Sequence, residues 1–312
     1  MIRSDRTVLI LFASLLALLL VGLLLPKWLF LLTLALGKGI VVLGLVLLLR
    51  TGLVSFGQGL FYCLGAYAVG SLGQFFDITG VLLLLLTGIA VGVAMSVVLG
   101  FLMAKYRGIF FAMLSLAFSM IAYGLLVKTA TLGSTDGFNV APPTLLHRPI
   151  GGEQHQYALF ALAVIVAFVS ALLLHVYMRT PLGRLAPAIR DNEIRVEYMG
   201  ASVRNAIFVK YVIAGALAGL GGALVAMTVG HIDPEMAYWT TSGEFIFVAI
   251  LSGTASVVAP FLGSFVFEII RTYAYQYSPN TWQLVLGSSL LIVIVFLPSG
   301  LWSLFAYRRR RS

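Results

Sequence analysis

The sequence predicts an all-α, polytopic membrane protein built as a helix bundle. Of its 312 residues, 61% are hydrophobic and only 10% are charged, and the mean hydropathy is +1.04. Apolar runs near the length of a bilayer crossing recur along the chain. The 32 glycines fit the same class, because membrane helices pack closely through small residues. We interpret residues 1–312 as a single transmembrane domain.

Charges, prolines and glycine-rich breaks divide the chain into about ten candidate spans. Their predicted ranges are 8–25, 28–49, 53–75, 78–104, 109–127, 157–178, 207–229, 240–258, 262–277 and 282–305. The basic start and first apolar run resemble a signal peptide, but no small-x-small cleavage site precedes Pro26. We therefore interpret this run as a retained first span.

The basic residues predict how the spans are oriented. With the N-terminus in the cytoplasm, the residues predicted inside are Arg3, Arg6, Arg50, Lys105, Arg107, Arg179, Arg184, Arg190, Arg195, Arg204, Lys210 and Arg308 to Arg311. Those predicted outside are only Lys27, Lys128, Arg148 and Arg271. This separation requires an even number of spans, with both termini inside. The net charge of +9 therefore indicates topology and contact with anionic lipid rather than with nucleic acid.

The sequence predicts no cofactor and no metal site. Cys63 is the only cysteine, which excludes an intrachain disulfide and a thiolate cluster. His147 and His155 share a loop with Asp136 and Glu153, but their irregular spacing is better explained by a solvated loop. Neither a GxxxxGK[ST] phosphate loop nor a recognisable catalytic constellation occurs. The chain is therefore not predicted to be an enzyme.

Two polar stretches interrupt the apolar pattern. Residues 129–156 are predicted to form an irregular extracytoplasmic loop, because glycines and paired prolines oppose a continuous helix. Residues 184–205 form a charged cytoplasmic stretch between the sixth and seventh spans. Such a stretch is either a solvated loop that satisfies topology or a docking element for a soluble partner.

The charged stretch is predicted to form one short helix along the membrane surface. Pro187 is tolerated in a first turn, and Gly200 is a natural terminator. The predicted apolar stripe consists of Ile189, Val196 and Met199. The predicted acid-before-base pair, four residues apart, consists of Asp191 and Arg195.

Six segments together resemble the LivM-type permeases, the membrane subunits of ABC importers for branched-chain amino acids. The most specific is "TPLGRLAPAIRDNEIRVEYMG", followed by "VKYVIAGALAGLGGALVA". The others are "TGLVSFGQGLFYCLGAYAVGSL", "STDGF", "SGEFIFVAILSGTASVVAPFLGSFVFE" and "FLPSGLW". The chain departs from the family pattern at Tyr198 and Met199, and in carrying Lys38 and Arg50.

The resemblance implies that the charged stretch is a cytoplasmic coupling helix inserted into an ATPase subunit. The residues we assign to coupling are Arg190, Asp191, Glu193, Arg195, Glu197 and Gly200. The implied partners are a second related permease, two ATP-binding subunits and an extracytoplasmic solute-binding protein. The implied location is the inner membrane, and the implied solute is a branched-chain or other apolar amino acid, with urea or a small amide as the alternative.

The third and eighth spans contain several glycines, which predicts irregular or closely packed segments at equivalent places in two inverted halves. The candidate residues for a substrate pathway are Ser55, Gln58, Tyr62, Glu244, Ser252 and Glu268. The alternative is that the glycines serve packing alone. Buried acids need protein or water around them, so Glu268 is expected to pair with Arg271 or with Lys38, or to contribute to a pathway.

The sequence disfavours two other functional classes. A membrane-embedded enzyme is disfavoured by the missing catalytic constellation. An ion-coupled secondary transporter is the stronger rival, because buried acids and inverted repeats also suit proton or sodium coupling. It leaves the charged cytoplasmic stretch without a role, which favours the ATP-driven importer.

Overall fold

A computed structural model provides the structure of the chain. It describes residues 6–145, 148–149, 156–277, 279–297 and 300–303. The predictions about Arg3, the two loop histidines and the basic tail at 308–311 lie outside the described residues.

The described residues are mostly helical, as predicted. The helices are α1 Arg6–Leu24, α2 Leu29–Arg50, α3 Gln58–Phe76, α4 Val81–Met103, α5 Gly108–Lys128, α6 Gln156–Arg179, α7 Pro181–Asp191, α8 Glu193–Tyr198, α9 Val203–Val229, α10 Trp239–Ser252, α11 Ala259–Tyr277 and α12 Trp282–Phe296. The described loops also contain four two-residue strands: β1 Phe138–Asn139, β2 Thr144–Leu145, β3 Arg148–Pro149 and β4 His231–Ile232. The antiparallel pairs are β1 with β4 and β2 with β3.

Seven helices in the described part of the chain are long and apolar enough to cross a membrane: α1 to α6 and α9. The prediction of an all-α polytopic membrane protein is therefore confirmed. Helices α10 and α12 have only 14 and 15 residues, and α11 has 19 but carries more polar side chains. The total of ten spans stays a prediction.

Helix α9 lies at the centre of the bundle, packed against α2, α3 and α4. Glycines allow these close approaches. A Cβ added at Gly65 would overlap the backbone of Gly219, and one added at Gly92 would overlap that of Gly215. Without a hydrophobic force between helices in lipid, such contacts hold the bundle together by dispersion. The peripheral helix α1 packs mainly against α6.

The two predicted irregular segments lie at helix junctions rather than within helices. The third predicted span begins as irregular chain at 51–57, and α3 starts only at Gln58. The eighth ends early, because α10 stops at Ser252 and the chain is irregular to residue 258. Gly253 makes this second break with a φ of 81°, a conformation that favours glycine.

Candidate functional site

Helices α3 and α10 begin beside each other inside the bundle. The Gly59 N–H donates to Ser242 Oγ over 3.0 Å. Farther along α3, Gly70 contacts Ile232, so segment 230–238 descends along α3 from the level of Gly70 to that of Gly59. At the helical rise this descent is about 16 Å. The N-terminus of α10 therefore lies inside the bundle, next to that of α3.

Buried serines accept hydrogen bonds from the backbone around the start of α3. The N–H of Phe56 donates to Ser115 Oγ over 3.0 Å, and that of Gly57 donates to Ser55 Oγ over 3.2 Å. Ser55, one of the predicted pathway residues, is thus engaged locally. Gln58 is fully buried, and among the described residues neither polar atom of its side chain has a hydrogen-bond partner. An unsatisfied buried amide is costly, which keeps Gln58 a pathway candidate.

Tyr62, one helical turn after Gln58, connects the start of α3 to α10. Its ring packs edge-on against Phe245, with centroids 5.2 Å apart. Phe245 directly follows Glu244 on α10. The ring of Tyr62 therefore packs beside the part of α10 that carries another predicted pathway residue.

Four charged side chains from three helices form a cluster within the bundle. We call Lys38, Glu244, Glu268 and Arg271 the charge cluster. Lys38 Nζ lies 2.6 Å from Glu268 Oε1 and 3.9 Å from Glu244 Oε2. Arg271 Nη1 lies 3.2 Å from the same Glu244 oxygen. Two cations and two anions balance, as unpaired charges inside a membrane are expensive.

The charge cluster decides between the predicted partners of Glu268. Lys38 is its partner, across 230 positions of sequence, whereas Arg271 pairs with Glu244 on α10. Arg271 lies inside α11, six residues before the helix ends, and its assignment to the external side stays a prediction. Its guanidinium also stacks 5.8 Å from the ring centroid of Trp282.

Ser252 does not join the other pathway candidates. It is the last residue of α10, and its hydroxyl donates to the Ala249 carbonyl over 3.0 Å. Its Cβ occupies the space that a side chain at position 263, which is glycine, would need. Ser252 is therefore placed to pack α10 against α11, about 12 Å along the helix from Glu244.

The polar stretch between α6 and α9 forms two helices instead of the one predicted. Thr180 caps α7 by accepting from the Gly183 N–H, and Asn192 caps α8 by accepting from the Arg195 N–H over 2.9 Å. Pro187 lies within α7, not in its first turn, which Pro181 occupies. Gly200, with a φ of 83°, follows the end of α8 as predicted. We call residues 181–198 the α7–α8 segment.

The predicted apolar stripe is only partly correct. Ile189 and Val196 are buried, but Met199 is 80% exposed. The predicted pairing of Asp191 with Arg195 on one helix is wrong, because the break at Asn192 places them on different helices. Both residues are exposed.

Side-chain contacts fix the α7–α8 segment to the bundle. Arg107 Nε, just before α5, lies 2.8 Å from each carboxylate oxygen of Glu193. Lys210 Nζ on α9 donates to the Leu182 carbonyl over 3.0 Å. Arg190 packs against Gly52 and lines a cavity of about 440 Å³ beside the α10–α11 break. The segment therefore contacts both the central helix and the start of α5.

The outward side of α8 is apolar. Ile194 is 66% exposed and Tyr198 is 88% exposed, next to the exposed Met199. Exposed charges surround them; the members assigned to coupling are Arg190, Asp191, Arg195 and Glu197. A contiguous apolar patch rimmed by charges is typical of a protein interaction surface.

Comparison with known proteins connects this architecture to one family. A family model described as "Branched-chain amino acid transport system / permease component" matches residues 27–295. LivM of Escherichia coli strain K12, a high-affinity branched-chain amino acid transport system permease protein, is 27% identical over 289 residues. That alignment covers 85% of this chain and 66% of the relative, so the chain spans just under two thirds of LivM.

Two further relatives carry the same description. BraD of Pseudomonas aeruginosa is 24% identical over 264 residues, covering 80% of this chain and 86% of the relative. LivH of Escherichia coli strain K12 is 25% identical over 139 residues, covering 44% of this chain and 45% of the relative. No solved structure matches the chain significantly. Because the family model covers most of its length, the chain belongs to the permease component family of branched-chain amino acid transport systems.

Proposed function

We propose that the chain is a permease subunit of an inner-membrane ABC importer that moves a branched-chain or other apolar amino acid. Its proposed partners are a second related permease, two ATP-binding subunits and an extracytoplasmic solute-binding protein. Membership of the permease family supports the transport role, and the similarity to the branched-chain amino acid permeases LivM, BraD and LivH supports the solute class.

The observation that carries the proposal is the exposed apolar surface of α8 on a polar, non-spanning segment. Ile194 and Tyr198 are exposed and lie outside the helices that are long and apolar enough to cross a membrane. Exposing both to water is unfavourable by roughly 25 cal/mol per Å² of apolar surface. Insertion into an ATPase cleft removes this surface from water, and the surrounding charges fix the register.

The attachments of the α7–α8 segment support a mechanical role. A helix that only satisfied topology needs no specific anchor. Here Lys210 ties α7 to the central helix α9, and Arg107 ties α8 to the start of α5. Movement of the ATPase subunits on ATP binding would therefore be transmitted to α9, which packs against α2, α3 and α4. Rigid-body tilting of this kind exchanges outward and inward access.

Substituting the exposed apolar residues tests the docking surface. The double variant Ile194→Asp with Tyr198→Asp leaves the buried contacts of α8 in place. We expect it to reach the membrane but to lose co-purification with the ATP-binding subunits and ATP-dependent uptake in proteoliposomes. Tyr106→Asp is the matched control, because Tyr106 is 40% exposed next to Arg107 but outside the segment. Retained ATPase binding in the double variant contradicts the proposed docking surface.

Charge reversal tests the rim of the same surface. Arg190→Glu combined with Glu197→Arg keeps the net charge but reverses two exposed positions. We expect weaker stimulation of ATP hydrolysis by solute-loaded binding protein. Unchanged stimulation would show that these charges do not contribute to coupling.

An ion-coupled secondary transporter is the second candidate, and the charge cluster favours it specifically. Buried acids within a membrane commonly carry protons or bind coupling ions. The two mechanisms differ in energy source. Uptake that follows a proton or sodium gradient without ATP-binding subunits supports the secondary transporter. Uptake that requires ATP on the side of the membrane where the ATP-binding subunits lie supports the importer.

A further inference from the structure

We propose that Glu244 and Arg271 bind the zwitterionic head of an α-amino acid in the wall of the transport passage, with Arg271 taking the carboxylate and Glu244 the ammonium. This inference rests on the proposed function, because it assumes that an amino acid passes through the chain. It goes beyond that function by naming the two residues and the charged groups of the solute that they bind.

The charge cluster has a closed half and an open half. In the closed half, the side chain of Lys38 is 12% exposed and that of Glu268 is 3% exposed. In the open half, the side chain of Glu244 is 23% exposed and that of Arg271 is 36% exposed. The open pair is therefore accessible from outside the protein fold although it belongs to helices within the bundle.

The location of the open pair determines what covers it. Glu244 is the sixth residue of α10, a helix that starts inside the bundle beside α3. We place the pair at membrane depth, because α2 and α3 beside it are long and apolar enough to cross a membrane. Charged side chains at such depth face water or protein, because contact with hydrocarbon is too expensive. A partly exposed ion pair at this depth is the feature expected in the wall of a water-filled passage.

The open pair retains unused hydrogen-bonding capacity. Within the described part of the chain, Glu244 uses only Oε2 for its ion pairs, and Arg271 donates to it only through Nη1. A carboxylate accepts through two oxygens, and a guanidinium donates through five N–H groups. An incoming ammonium and an incoming carboxylate can therefore bind without first breaking the pair. Their opposite charges lie close together in an α-amino acid, which matches an ion pair 3.2 Å long.

Pairing within the closed half leaves the charges of the open half available to bind a ligand. Glu268 is one turn from Arg271 on α11 and would compete for its guanidinium, but Lys38 already neutralises Glu268 at 2.6 Å. Trp282, over which the guanidinium stacks, limits where Arg271 can swing. Preorganised charges of this kind bind an ionic ligand without a further loss of side-chain entropy.

A recognition role and a purely structural role predict different behaviour when both charges are removed. Breaking one member of a buried pair is costly, whereas neutralising both is often tolerated. If the pair is structural only, Glu244→Gln with Arg271→Gln should restore uptake per assembled complex to within about twofold of wild type. We expect instead normal assembly with uptake per ATP hydrolysed reduced at least tenfold, because a zwitterion then meets no opposite charges.

The experiment uses the complete transporter in proteoliposomes, with a radiolabelled branched-chain amino acid, loaded binding protein and ATP inside. Assembly, ATP hydrolysis and uptake are measured on each preparation. Lys27→Gln is the control, because it removes an exposed charge far from the charge cluster. Uptake by the doubly neutralised complex within twofold of wild type overturns the inference.

A second variant keeps the test decisive if the doubly neutralised complex does not assemble. Arg271→Lys retains the charge and a partner for Glu244 but loses the planar fork that binds carboxylates. We expect an assembled complex whose KM or maximal uptake is at least threefold worse. Unchanged uptake by Arg271→Lys overturns the inference in that case.

Failure of this inference is distinguishable from failure of the proposed function. If the wild-type complex shows no ATP-dependent uptake, the importer proposal fails before any variant is needed. If it imports an uncharged solute such as a small amide but no amino acid, ATP-driven import stands and the zwitterion site is wrong.

Discussion

The charge cluster and the α7–α8 segment differ in which groups they bury: the first buries charged side chains in an apolar bundle, and the second exposes apolar side chains among charges. In the charge cluster, side chains as far apart as 230 positions meet and neutralise one another within an apolar bundle. In the α7–α8 segment, neighbouring residues form two short capped helices that expose apolar side chains among charges. The surroundings explain the difference: hydrocarbon penalises unpaired charge, and water penalises exposed apolar surface.

The two regions also differ in what satisfies their side chains. The cations and anions of the charge cluster pair with one another, so the cluster is stabilised by contacts within the chain. The α7–α8 segment buries Ile189 and Val196 but leaves Ile194 and Tyr198 exposed, and this exposed surface is the one proposed to contact the ATP-binding subunits. Removing a single buried charge from the first region should therefore affect folding, and adding charge to the exposed apolar residues of the second should affect partner binding.

The largest effect is expected on breaking the closed half of the charge cluster. Lys38→Met leaves the carboxylate of Glu268, which is 2% exposed, without its cation. Removing one member of a buried pair costs about 3–5 kcal/mol. We expect a marked loss of folded protein and of thermal stability in detergent, measured by fluorescence-detected gel filtration after heating.

The double variant Lys38→Met with Glu268→Gln provides the internal check. Because no unpaired charge remains, it should recover most of the lost stability. Lys27→Met is the control for the same side-chain change at an exposed position. A stable Lys38→Met protein would mean that Glu268 is not held by this pair.

A smaller effect is expected from crowding the contact between α3 and α9. A Cβ at Gly222 would overlap the carbonyl oxygen of Tyr62. Overpacking of this kind typically costs about 1–3 kcal/mol. Gly222→Ala should therefore lower the thermal midpoint and, by displacing α3, reduce uptake, while leaving binding of the ATP-binding subunits intact.

Gly124→Ala is the matched control for this variant. Gly124 also lies within a helix, but no heavy atom lies within 4 Å of the position its Cβ would take. Alanine has a higher helix propensity by roughly 1 kcal/mol, so stability should be unchanged or slightly higher. Equal losses from both variants would show that helix packing at Gly222 is not the cause.

Much of the fold follows from the sequence because lipid imposes a simple rule on composition. A helix of about 20 apolar residues satisfies its backbone and faces hydrocarbon without further help. The predicted spans at 28–49, 157–178 and 207–229 consequently agree with α2, α6 and α9 within a few residues. Gly200 also terminates α8 as predicted, since its positive φ is a local property of glycine.

The remaining features depend on contacts that a local pattern does not contain. The break at Asn192 was missed because the apolar spacing from Ile189 to Met199 also fits one helix. The start of α10 inside the bundle depends on the Gly59–Ser242 hydrogen bond, between residues 183 positions apart. The partner of Arg271 likewise comes from another helix. Which of the candidate residues touch solute stays a prediction.

A local effect of about 1 kcal/mol is expected from removing the cap of α8. Asn192 Oδ1 accepts from the Arg195 N–H over 2.9 Å, and replacing such a cap by alanine typically costs about 1 kcal/mol. In Asn192→Ala, amide hydrogens of α8 should exchange about fivefold faster in the transporter lacking its ATP-binding subunits.

Asn192→Asp is the matched control, because aspartate caps helices as well as asparagine does. Its exchange rates should resemble those of wild type. If alanine and aspartate behave alike, α8 is held by its contacts with the bundle rather than by its cap, and the helix would be a rigid extension of α5 and α9.

The smallest effect is expected from the ion pair between Arg107 and Glu193, because both side chains are partly solvated. They are 29% and 36% exposed, and pairs of this kind contribute about 0.2–1 kcal/mol. Glu193→Gln should accelerate amide exchange in α8 slightly more than Glu197→Gln, which alters a more exposed carboxylate on the same helix. Raising the salt concentration from about 50 mM to 500 mM should remove most of this difference, since partly exposed charges are screened. A difference that persists at high salt would indicate that hydrogen-bond geometry, rather than charge, holds α8 to the start of α5. That result would make the α7–α8 segment more like the charge cluster, where contacts within the chain fix the side chains.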